Sequence, residues 1–215
     1  MTDATIYVLA GVNGSGKSSI GGAAIISRGV EYYNPDLAAT ALRAIHPSMT
    51  PFIANSHAWT LGKEMLEKAI VRKETFAFEA TLGGNTITSL LLKAVEEGMQ
   101  VKAWYAGLET VELNIARVHA RVARGGHDIP EVDIRKRWDS SRRNLIKLLP
   151  GLHSLWLYDN SHEADPRMGN APRPQLLLHV EAGKIVGPSD LSSTSQWAKP
   201  IIAGALHIYG QSPKS

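Results

Sequence analysis

The segment from Gly11 to Ser18 constrains the fold of this chain more than any other feature of the sequence. It reads GVNGSGKS and matches the pattern G-x-x-x-x-G-K-[ST] at every fixed position. Residues 5–10, directly before it, form an apolar run typical of a buried strand, and a helix can begin at Gly16 and continue through Ile26. A strand, a glycine-rich turn and a helix in this order are what a phosphate-binding loop requires, so we predict a nucleotide site here.

The residue types of this loop suit a nucleoside triphosphate. Glycines allow backbone N–H groups to turn toward phosphate oxygens, and the helix N-terminus adds the positive end of its dipole. We expect Lys17 to reach the β- and γ-phosphates of ATP and the Ser18 hydroxyl to bind Mg²⁺. A chance glycine turn is the alternative, but a random chain of this length matches the pattern only about once in a hundred. The predicted ATP contacts in the loop are Gly11, Asn13, Gly14, Ser15, Gly16, Lys17, Ser18 and Ser19.

The composition is that of an ordinary globular protein. The chain has 215 residues, of which 44% are hydrophobic and 20% charged, and we expect one domain over residues 1–215. No apolar run approaches the roughly 18 residues that span a bilayer, so we predict no membrane association. The absence of cysteine fits a reducing compartment. We expect no signal peptide, because Met1–Asp3 lead straight into the first predicted strand. We therefore expect a cytoplasmic protein.

Strands and helices alternate along most of the chain, which predicts an α/β fold. We expect a P-loop kinase-like, three-layer α/β/α arrangement with a mostly parallel central sheet and a helical lid. The carboxyl ends of parallel strands meet at one edge, which would gather Lys17, Asp36, Glu79 and Asp159 around one cleft. The predicted strands are 5–10, 30–33, 75–79, 100–106 and 155–158, followed by 175–180 and 184–186 as a hairpin or a continuing edge strand. The predicted helices are 37–45, 53–69, 87–95, 111–124, 130–149 and 196–207, and 163–174 is predicted as a loop.

Asp36 is the predicted base for a phosphate acceptor. It follows the second predicted strand within Asn34-Pro35-Asp36, beside the phosphate loop. An aspartate there can accept the proton of a substrate hydroxyl that attacks the γ-phosphate, and Asn34 is a predicted substrate contact. The alternative is structural, because either Asn34 or Asp36 can cap the next helix.

Glu79 ends an otherwise apolar strand, where a buried carboxylate is costly unless a cation or a hydrogen-bonded ligand accompanies it. We expect it to hold Mg²⁺-bound water or substrate hydroxyls, with Thr81 as a hydrogen-bonding partner. A salt bridge at the strand end is the alternative.

Arginines of the region 111–149 are the predicted cations on the transferred phosphate. Arg117, Arg121 and Arg124 share one predicted helix face, which carries no acidic residues at matching spacing. Arg137, one turn from the predicted buried stripe of Trp138, is a second candidate. Nine Lys or Arg residues stand against four Asp or Glu residues between positions 117 and 147, which favours a surface that faces phosphates over a general nucleic-acid patch. A solvated charged face is the commoner fate of such a stripe and remains the alternative.

Two polar residues in turns complete the predicted site. His127 lies in the hinge-like turn after Gly125-Gly126 and can orient substrate or phosphate, although a structural turn histidine explains it equally well. Asn160, in Asp159-Asn160-Ser161 at the end of the fifth strand, is predicted to lie near the adenine, with a plain turn as the alternative.

Four motifs together give the chain a resemblance to the zeta-toxin family of P-loop kinases. They are GVNGSGKSS, Asn34-Pro35-Asp36, Phe78-Glu79-Ala80-Thr81 and the run RVHARVARGGHDIPEVDIRKRW from 117 to 138. The resemblance implies phosphorylation, by ATP, of a sugar hydroxyl on UDP-N-acetylglucosamine or a related sugar nucleotide, and a small antitoxin partner. By position it implies that Lys17 is the phosphate-loop lysine and Asp36 the acceptor-activating aspartate. It makes Glu79 and Thr81 substrate-pocket residues, and Arg121 and Arg137 the γ-phosphate arginines.

Two other functions remain open from the residues alone. One is a kinase for another hydroxyl, on a nucleoside, an antibiotic or a polynucleotide end. The other is an NTP-dependent switch or nucleic-acid-remodelling protein. Against the second, the chain has no Asn-Lys-x-Asp guanine motif and no apolar strand that ends in Asp-Glu.

Overall fold

The computed structural model describes residues 4–20, 30, 32–162 and 174–210. Seven strands lie in these ranges: β1 (Thr5–Ala10), β2 (Tyr32–Tyr33), β3 (Phe76–Ala80), β4 (Gln100–Gly107), β5 (Ser154–Asp159), β6 (Gln175–Glu181) and β7 (Lys184–Gly187). The helices are α1 (Pro35–Ile45), α2 (Pro51–Arg72), α3 (Asn85–Glu96), α4 (Val111–Val122), α5 (Glu131–Leu148) and α6 (Lys199–Tyr209). Residues 17–20, directly after the glycine-rich loop, are also helical.

All seven strands form one sheet, in the order β2-β3-β1-β4-β5-β6-β7. The first five are parallel, whereas β6 and β7 continue the sheet as an antiparallel hairpin. The carboxyl ends of β1 to β5 therefore share one edge, with the phosphate loop leaving the central strand β1. This arrangement confirms the predicted α/β fold with a mostly parallel sheet.

The two faces of the sheet are packed differently. One face joins alternate residues of β1, such as Ile6 and Val8, to buried side chains of α2, α3, α5 and α6 in a large apolar core. The other face carries an aromatic layer in which Trp104 and Trp156 stack with ring centroids 4.4 Å apart, and His179 stacks on Trp156 at 4.8 Å. Alternation of side chains along each strand explains how one short strand supplies both layers.

The predicted element boundaries differ slightly from the observed ones. Helix α4 ends at Val122 rather than near residue 124, and α6 begins at Lys199 after a 3₁₀ turn at Gln196–Ala198. The predicted helix from Gly16 to Ile26 lies outside the described residues beyond position 20, as does most of the predicted loop 163–174.

Within the described ranges, no helix has both the length and the apolar character that crossing a bilayer requires.

Candidate active site

The phosphate loop has a backbone that only glycine adopts easily at three positions. Gly11, Gly14 and Gly16 have φ values of +139°, +82° and +78°. A Cβ on Gly11 would overlap the carbonyl oxygen of Ala106 in the neighbouring strand β4, and one on Gly14 would lie 2.6 Å from a backbone oxygen of α4. The glycines of the motif thus permit both the turn and its close packing against the rest of the protein.

Three side chains from distant parts of the sequence brace this loop. Asn114 of α4 donates to the carbonyl oxygen of Asn13 at 2.8 Å, and Asn160 donates to the carbonyl oxygen of Ser15 at 2.9 Å. Arg137 of α5 donates to the side-chain oxygen of Asn13 at 3.0 Å. Because these bonds come from α4, from α5 and from the turn after β5, three separate parts of the chain hold the loop in place.

Glu79 is the most heavily bonded side chain of the site. Its Oε1 lies 3.0 Å from the Lys17 ammonium, and its Oε2 accepts hydrogen bonds from Ser18 at 2.7 Å and from Asn34 at 3.0 Å. The Tyr32 hydroxyl also donates to Oε2. We call these five side chains the Glu79 cluster. The carboxylate is only 7% exposed, so the four donors supply the hydrogen bonds that water would otherwise give it.

Electrostatics keep Glu79 ionised and Tyr32 protonated. Burial alone raises the pKa of Glu79, but the Lys17 ammonium and the hydroxyls of Tyr32 and Ser18 outweigh it and leave this pKa below its ordinary value. Burial raises the pKa of Tyr32, and the adjacent Glu79 charge raises it further. The tyrosine therefore acts as a donor to Glu79 at any physiological pH.

Asn34, rather than Asp36, caps helix α1. Its side-chain oxygen accepts from the backbone N–H groups of Asp36 and Leu37, at 2.9 and 3.2 Å, while its amide nitrogen donates to Glu79. The carboxylate of Asp36 is consequently not used in capping. It is half exposed and forms an ion pair with Arg121 at 3.2 Å, through Oδ2.

Arg121 links Asp36 to the turn between α4 and α5. Its NH2 group donates to the carbonyl oxygen of His127 at 2.8 Å. Burial lowers the pKa of His127, which favours a neutral imidazole. A neutral ring can accept a hydrogen bond from Asn55 of α2, whose Nδ2 lies 2.8 Å from Nε2. The predicted residues Asp36, Arg121 and His127 are thus brought together, with Asn55 as an additional member.

The predicted arginines divide between two places. Arg137 lies against the phosphate loop, where its side chain passes over Gly83 so closely that a Cβ there would overlap it at 2.5 Å. Arg121 does not contact the loop and instead forms the ion pair with Asp36. Arg117 and Arg124 line an open depression next to Arg121, together with Ala120 and the Gly125-Gly126 turn.

The hydroxyls of three predicted site residues make local contacts or none among the described residues. The Thr81 hydroxyl accepts from the backbone of Gly83, and Ser19 is exposed on the first helical turn after the loop. The Ser15 hydroxyl is buried without a hydrogen-bond partner among the described residues, and the residue as a whole has no exposed surface.

Asp159, which the sequence placed near the cleft, belongs to a buried structural network. It accepts hydrogen bonds from Ser161, Ser195 and the Trp197 indole, the last at 3.0 Å. Although burial alone raises the pKa of Asp159, these bonds lower it below its ordinary value. Its neighbour Asn160 is the residue of this turn that reaches the phosphate loop.

Sequence reasoning missed Tyr32, Asn55 and Asn114. A tyrosine in a short strand is typical of core packing, and Asn55 lies on an exposed helix flank, so neither carries a signal. Asn114 does carry one, because it lies one turn before the buried Val118 on the same stripe of α4. A polar residue on a buried stripe usually marks a specific hydrogen bond.

The donor set fits Mg²⁺. The Ser18 hydroxyl and the Glu79 carboxylate are adjacent oxygen groups, and oxygen is the ligand this ion prefers. The described part of the chain has no group of three His, Cys, Asp or Glu residues suited to a metal.

Comparison with known proteins gives one relative in sequence. An uncharacterised protein of Haemophilus influenzae is 32% identical over 133 residues, which cover 60% of this chain and 88% of that protein. No family model matches the chain.

Several solved structures match a larger share of this chain than the sequence relative does. A chain of the AvrRxo1-ORF1:AvrRxo1-ORF2 complex superposes with a TM-score of 0.67 at 15% identity, over 92% of this chain and 63% of that one. The same complex with ATP gives 0.66 at 15% identity, over 99% and 66%. The PezAT chromosomal toxin–antitoxin system of Streptococcus pneumoniae gives 0.58 at 13% identity, over 100% and 81%.

The present chain spans 63–66% of the length of the AvrRxo1 chains that it matches. At these identities the likeness establishes the fold, and it agrees with the family that the four sequence motifs resemble. The chain therefore belongs to one family with the Haemophilus influenzae protein, and its fold is that of the zeta-toxin P-loop kinases.

Proposed function

We propose that the chain is an ATP-dependent kinase that transfers the γ-phosphoryl group to a hydroxyl of a small molecule. The observation that carries the proposal is the pairing of two half-sites at one sheet edge. One is a phosphate loop with Lys17 and Arg137. The other is the carboxylate of Asp36, which forms an ion pair with Arg121. Asn34, a member of the Glu79 cluster, links the two half-sites because it caps the helix that carries Asp36.

The leading acceptor is a sugar nucleotide such as UDP-N-acetylglucosamine, which the four motifs imply. A small antitoxin protein is the partner we propose, since PezAT is a toxin–antitoxin system. A cytoplasmic location, where ATP is available, belongs to the same proposal.

Lys17, Arg137 and the loop amides bind the triphosphate of ATP. Phosphoryl transfer depends mainly on positioning and on cations around the migrating group, and these side chains supply both. Arg137 is already oriented by its bond to Asn13, so it loses little freedom when it binds phosphate. Ser18 and Glu79 would hold Mg²⁺, which, when bound, draws negative charge from the phosphate oxygens.

Asp36 accepts the proton of the acceptor hydroxyl. The acceptor oxygen then bonds to the γ-phosphorus as the bond to the β–γ bridging oxygen breaks, and ADP leaves with that electron pair. Arg121 holds Oδ2 of Asp36, whereas no described residue bonds Oδ1. We therefore assign proton transfer to Oδ1 and orientation of the carboxylate to Arg121.

The proposal is tested by measuring ADP release from purified protein, ATP and Mg²⁺ over a panel of acceptors. The panel contains sugar nucleotides, nucleosides, aminoglycosides and 5′-hydroxyl oligonucleotides. We expect a sugar nucleotide to stimulate release and to gain a phosphate, and Lys17→Ala to abolish both. Stimulation by another acceptor class alone would replace the sugar nucleotide, and stimulation by nucleic acid without phosphate transfer would overturn the kinase.

Replacing Asp36 separates binding from transfer. We expect Asp36→Asn to keep the affinity for ATP, measured by calorimetry, while kcat falls by about 10²-fold or more because the general base is lost. Asp139→Asn, at an exposed ion pair with Arg142, is the matched control and should leave kcat unchanged. Near-normal turnover in the Asp36 variant would show that another group takes the proton.

Arg135 and Arg137 both lie on α5 but contact different groups, so replacing each in turn shows whether contact with the phosphate loop matters for transfer. Arg137 reaches the phosphate loop, whereas Arg135 forms surface ion pairs with Glu112 and Glu131. We expect Arg137→Ala to lower kcat/KM by roughly 10²-fold, because a cation on the transferred group is lost, and Arg135→Ala to have little effect. Equal losses in steady-state kinetics of the two variants would remove Arg137 from the transfer step.

Glu79 should make the stability of the protein depend on pH in the acidic range. Its pKa in the folded protein is below the ordinary value of 4.5, so its stabilising contribution is complete above that value and is lost as pH falls through the folded-state pKa. At pH 7 we expect Glu79→Gln to cost on the order of 2 kcal/mol in the free energy of unfolding. Urea unfolding at successive pH values should show this deficit shrinking below pH 4.5.

The matched control is Glu67→Gln, at a partly exposed ion pair with Lys63. Its deficit should stay within about 1 kcal/mol at pH 7. A deficit for Glu79→Gln that stays constant down to pH 3 would mean that the charge of Glu79 is not what stabilises the cluster.

A further inference from the structure

Two asparagine side chains hold alternate peptide groups of the phosphate loop. Asn114 donates to the carbonyl oxygen of Asn13 at 2.8 Å, and Asn160 donates to that of Ser15 at 2.9 Å. Both asparagines are themselves held in place. Asn114 is 1% exposed on α4, and the backbone N–H of Asn160 donates to the carbonyl oxygen of Gly107 at the end of β4. The carbonyl groups of residues 13 and 15 therefore have fixed directions.

The direction of each carbonyl group also sets the direction of the next N–H group. A trans peptide is planar, so its C=O and N–H bonds point in opposite directions. The peptides between residues 13 and 14 and between residues 15 and 16 are both trans. The N–H group of Gly14 consequently points away from Asn114, and that of Gly16 points away from Asn160.

These two N–H groups have no hydrogen-bond partner among the described residues. The N–H group between them, that of Ser15, donates to the carbonyl oxygen of Val12 at 3.0 Å. Gly14 and Gly16 are partly exposed, whereas Ser15 is buried. Two backbone donors at alternate positions are therefore left for a ligand, and the donor between them is used inside the loop.

Gly14 and Gly16 lack a Cβ at the points where the two asparagines approach the loop. Position 14 is not a fixed position of the phosphate-loop pattern, yet a Cβ there would lie 2.6 Å from the backbone oxygen of Asn114. A Cβ on Gly16 would overlap the Nδ2 atom of Asn160. Each asparagine can come this close only because the loop residue that it meets has no side chain.

We propose that Asn114 and Asn160 are positioning residues that direct the N–H groups of Gly14 and Gly16 toward the phosphate chain of the nucleotide. This inference rests on the proposed function, in which the loop binds a triphosphate. A donor that is oriented before its ligand arrives loses little freedom on binding, and hydrogen bonds to an ionised phosphate are strong. Loss of either asparagine should therefore weaken binding of the phosphate chain, and each loss should act through its own glycine.

Calorimetry on the full chain measures the effect on affinity. Pyrophosphate and ADP are the probes, because both contain two linked phosphates and only ADP carries a nucleoside. We expect Asn114→Ala and Asn160→Ala each to weaken the binding of both probes by about tenfold. Equal losses for the two probes would assign the effect to the phosphates rather than to the nucleoside.

Amide spectra distinguish directed donors from a general loosening of the loop. In ¹H–¹⁵N spectra of the wild type, the resonances of Gly14 and Gly16 should both move downfield when pyrophosphate is added, because both N–H groups then donate to phosphate. We expect Asn160→Ala to reduce the shift of Gly16 while that of Gly14 persists. Asn114→Ala should do the reverse, which a purely structural role would not produce.

Asn144 provides the matched control. Like Asn114 it is buried, and its side chain donates to two loop carbonyl oxygens, those of Leu82 and Gly84, at 2.8 and 3.1 Å. We expect Asn144→Ala to lower the urea midpoint of unfolding but to leave the affinity for pyrophosphate unchanged. Should Asn114→Ala fail to fold, Asn160→Ala still tests the inference, because Asn160 is partly exposed.

Three results would overturn the inference. The first is wild-type affinity for pyrophosphate in both variants, and the second is loss of both glycine shifts together in each variant. The third is a loss of affinity for ADP alone, which would assign the asparagines to the nucleoside.

The kinase proposal fails separately. If the glycine shifts respond as expected but no acceptor gains a phosphate, the positioning role stands and the kinase is removed. If an acceptor is phosphorylated with equal kcat/KM in wild type and Asn160→Ala, the kinase stands and the positioning role is removed.

Discussion

The buried carboxylate of Glu79 is the interaction on which the site depends. An ionised group that is nearly removed from water is tolerated only when cations and hydrogen-bond donors replace the solvent. Here the donors come from two separate segments: Lys17 and Ser18 at the end of the phosphate loop, and Tyr32 and Asn34 in and after β2. The carboxylate of Glu79 therefore fixes the position of the phosphate loop relative to the first turn of α1.

Helices α4 and α5 connect the two halves from the other side. Arg137 of α5 contacts the phosphate loop through Asn13, and Arg121 of α4 contacts Asp36. In an arginine-rich stretch these two side chains look equivalent, but they serve different ends of the cleft. Arg121 and Arg137, two of the nine basic residues between positions 117 and 147, thus contact different parts of the site.

Much of this architecture was predictable from local patterns. The loop at Gly11–Ser18 and the alternation of strands and helices led to the parallel sheet, which the structure confirms. The choice between Asn34 and Asp36 as the cap was not predictable, because both residue types cap helices and only the contact with Arg121 distinguishes them. The role of Tyr32 was hidden for a similar reason, since its bond to Glu79 joins residues 47 positions apart.

Asn34 has a consequence for how the two substrates would communicate. Its amide nitrogen is bound to Glu79, and its oxygen carries the first two backbone N–H groups of α1, including that of Asp36. A displacement of Glu79 is therefore transmitted through one side chain to the backbone that aims Asp36. Under the proposed function, Asn34 is thus the side chain that joins the Glu79 cluster to the backbone of the proposed base.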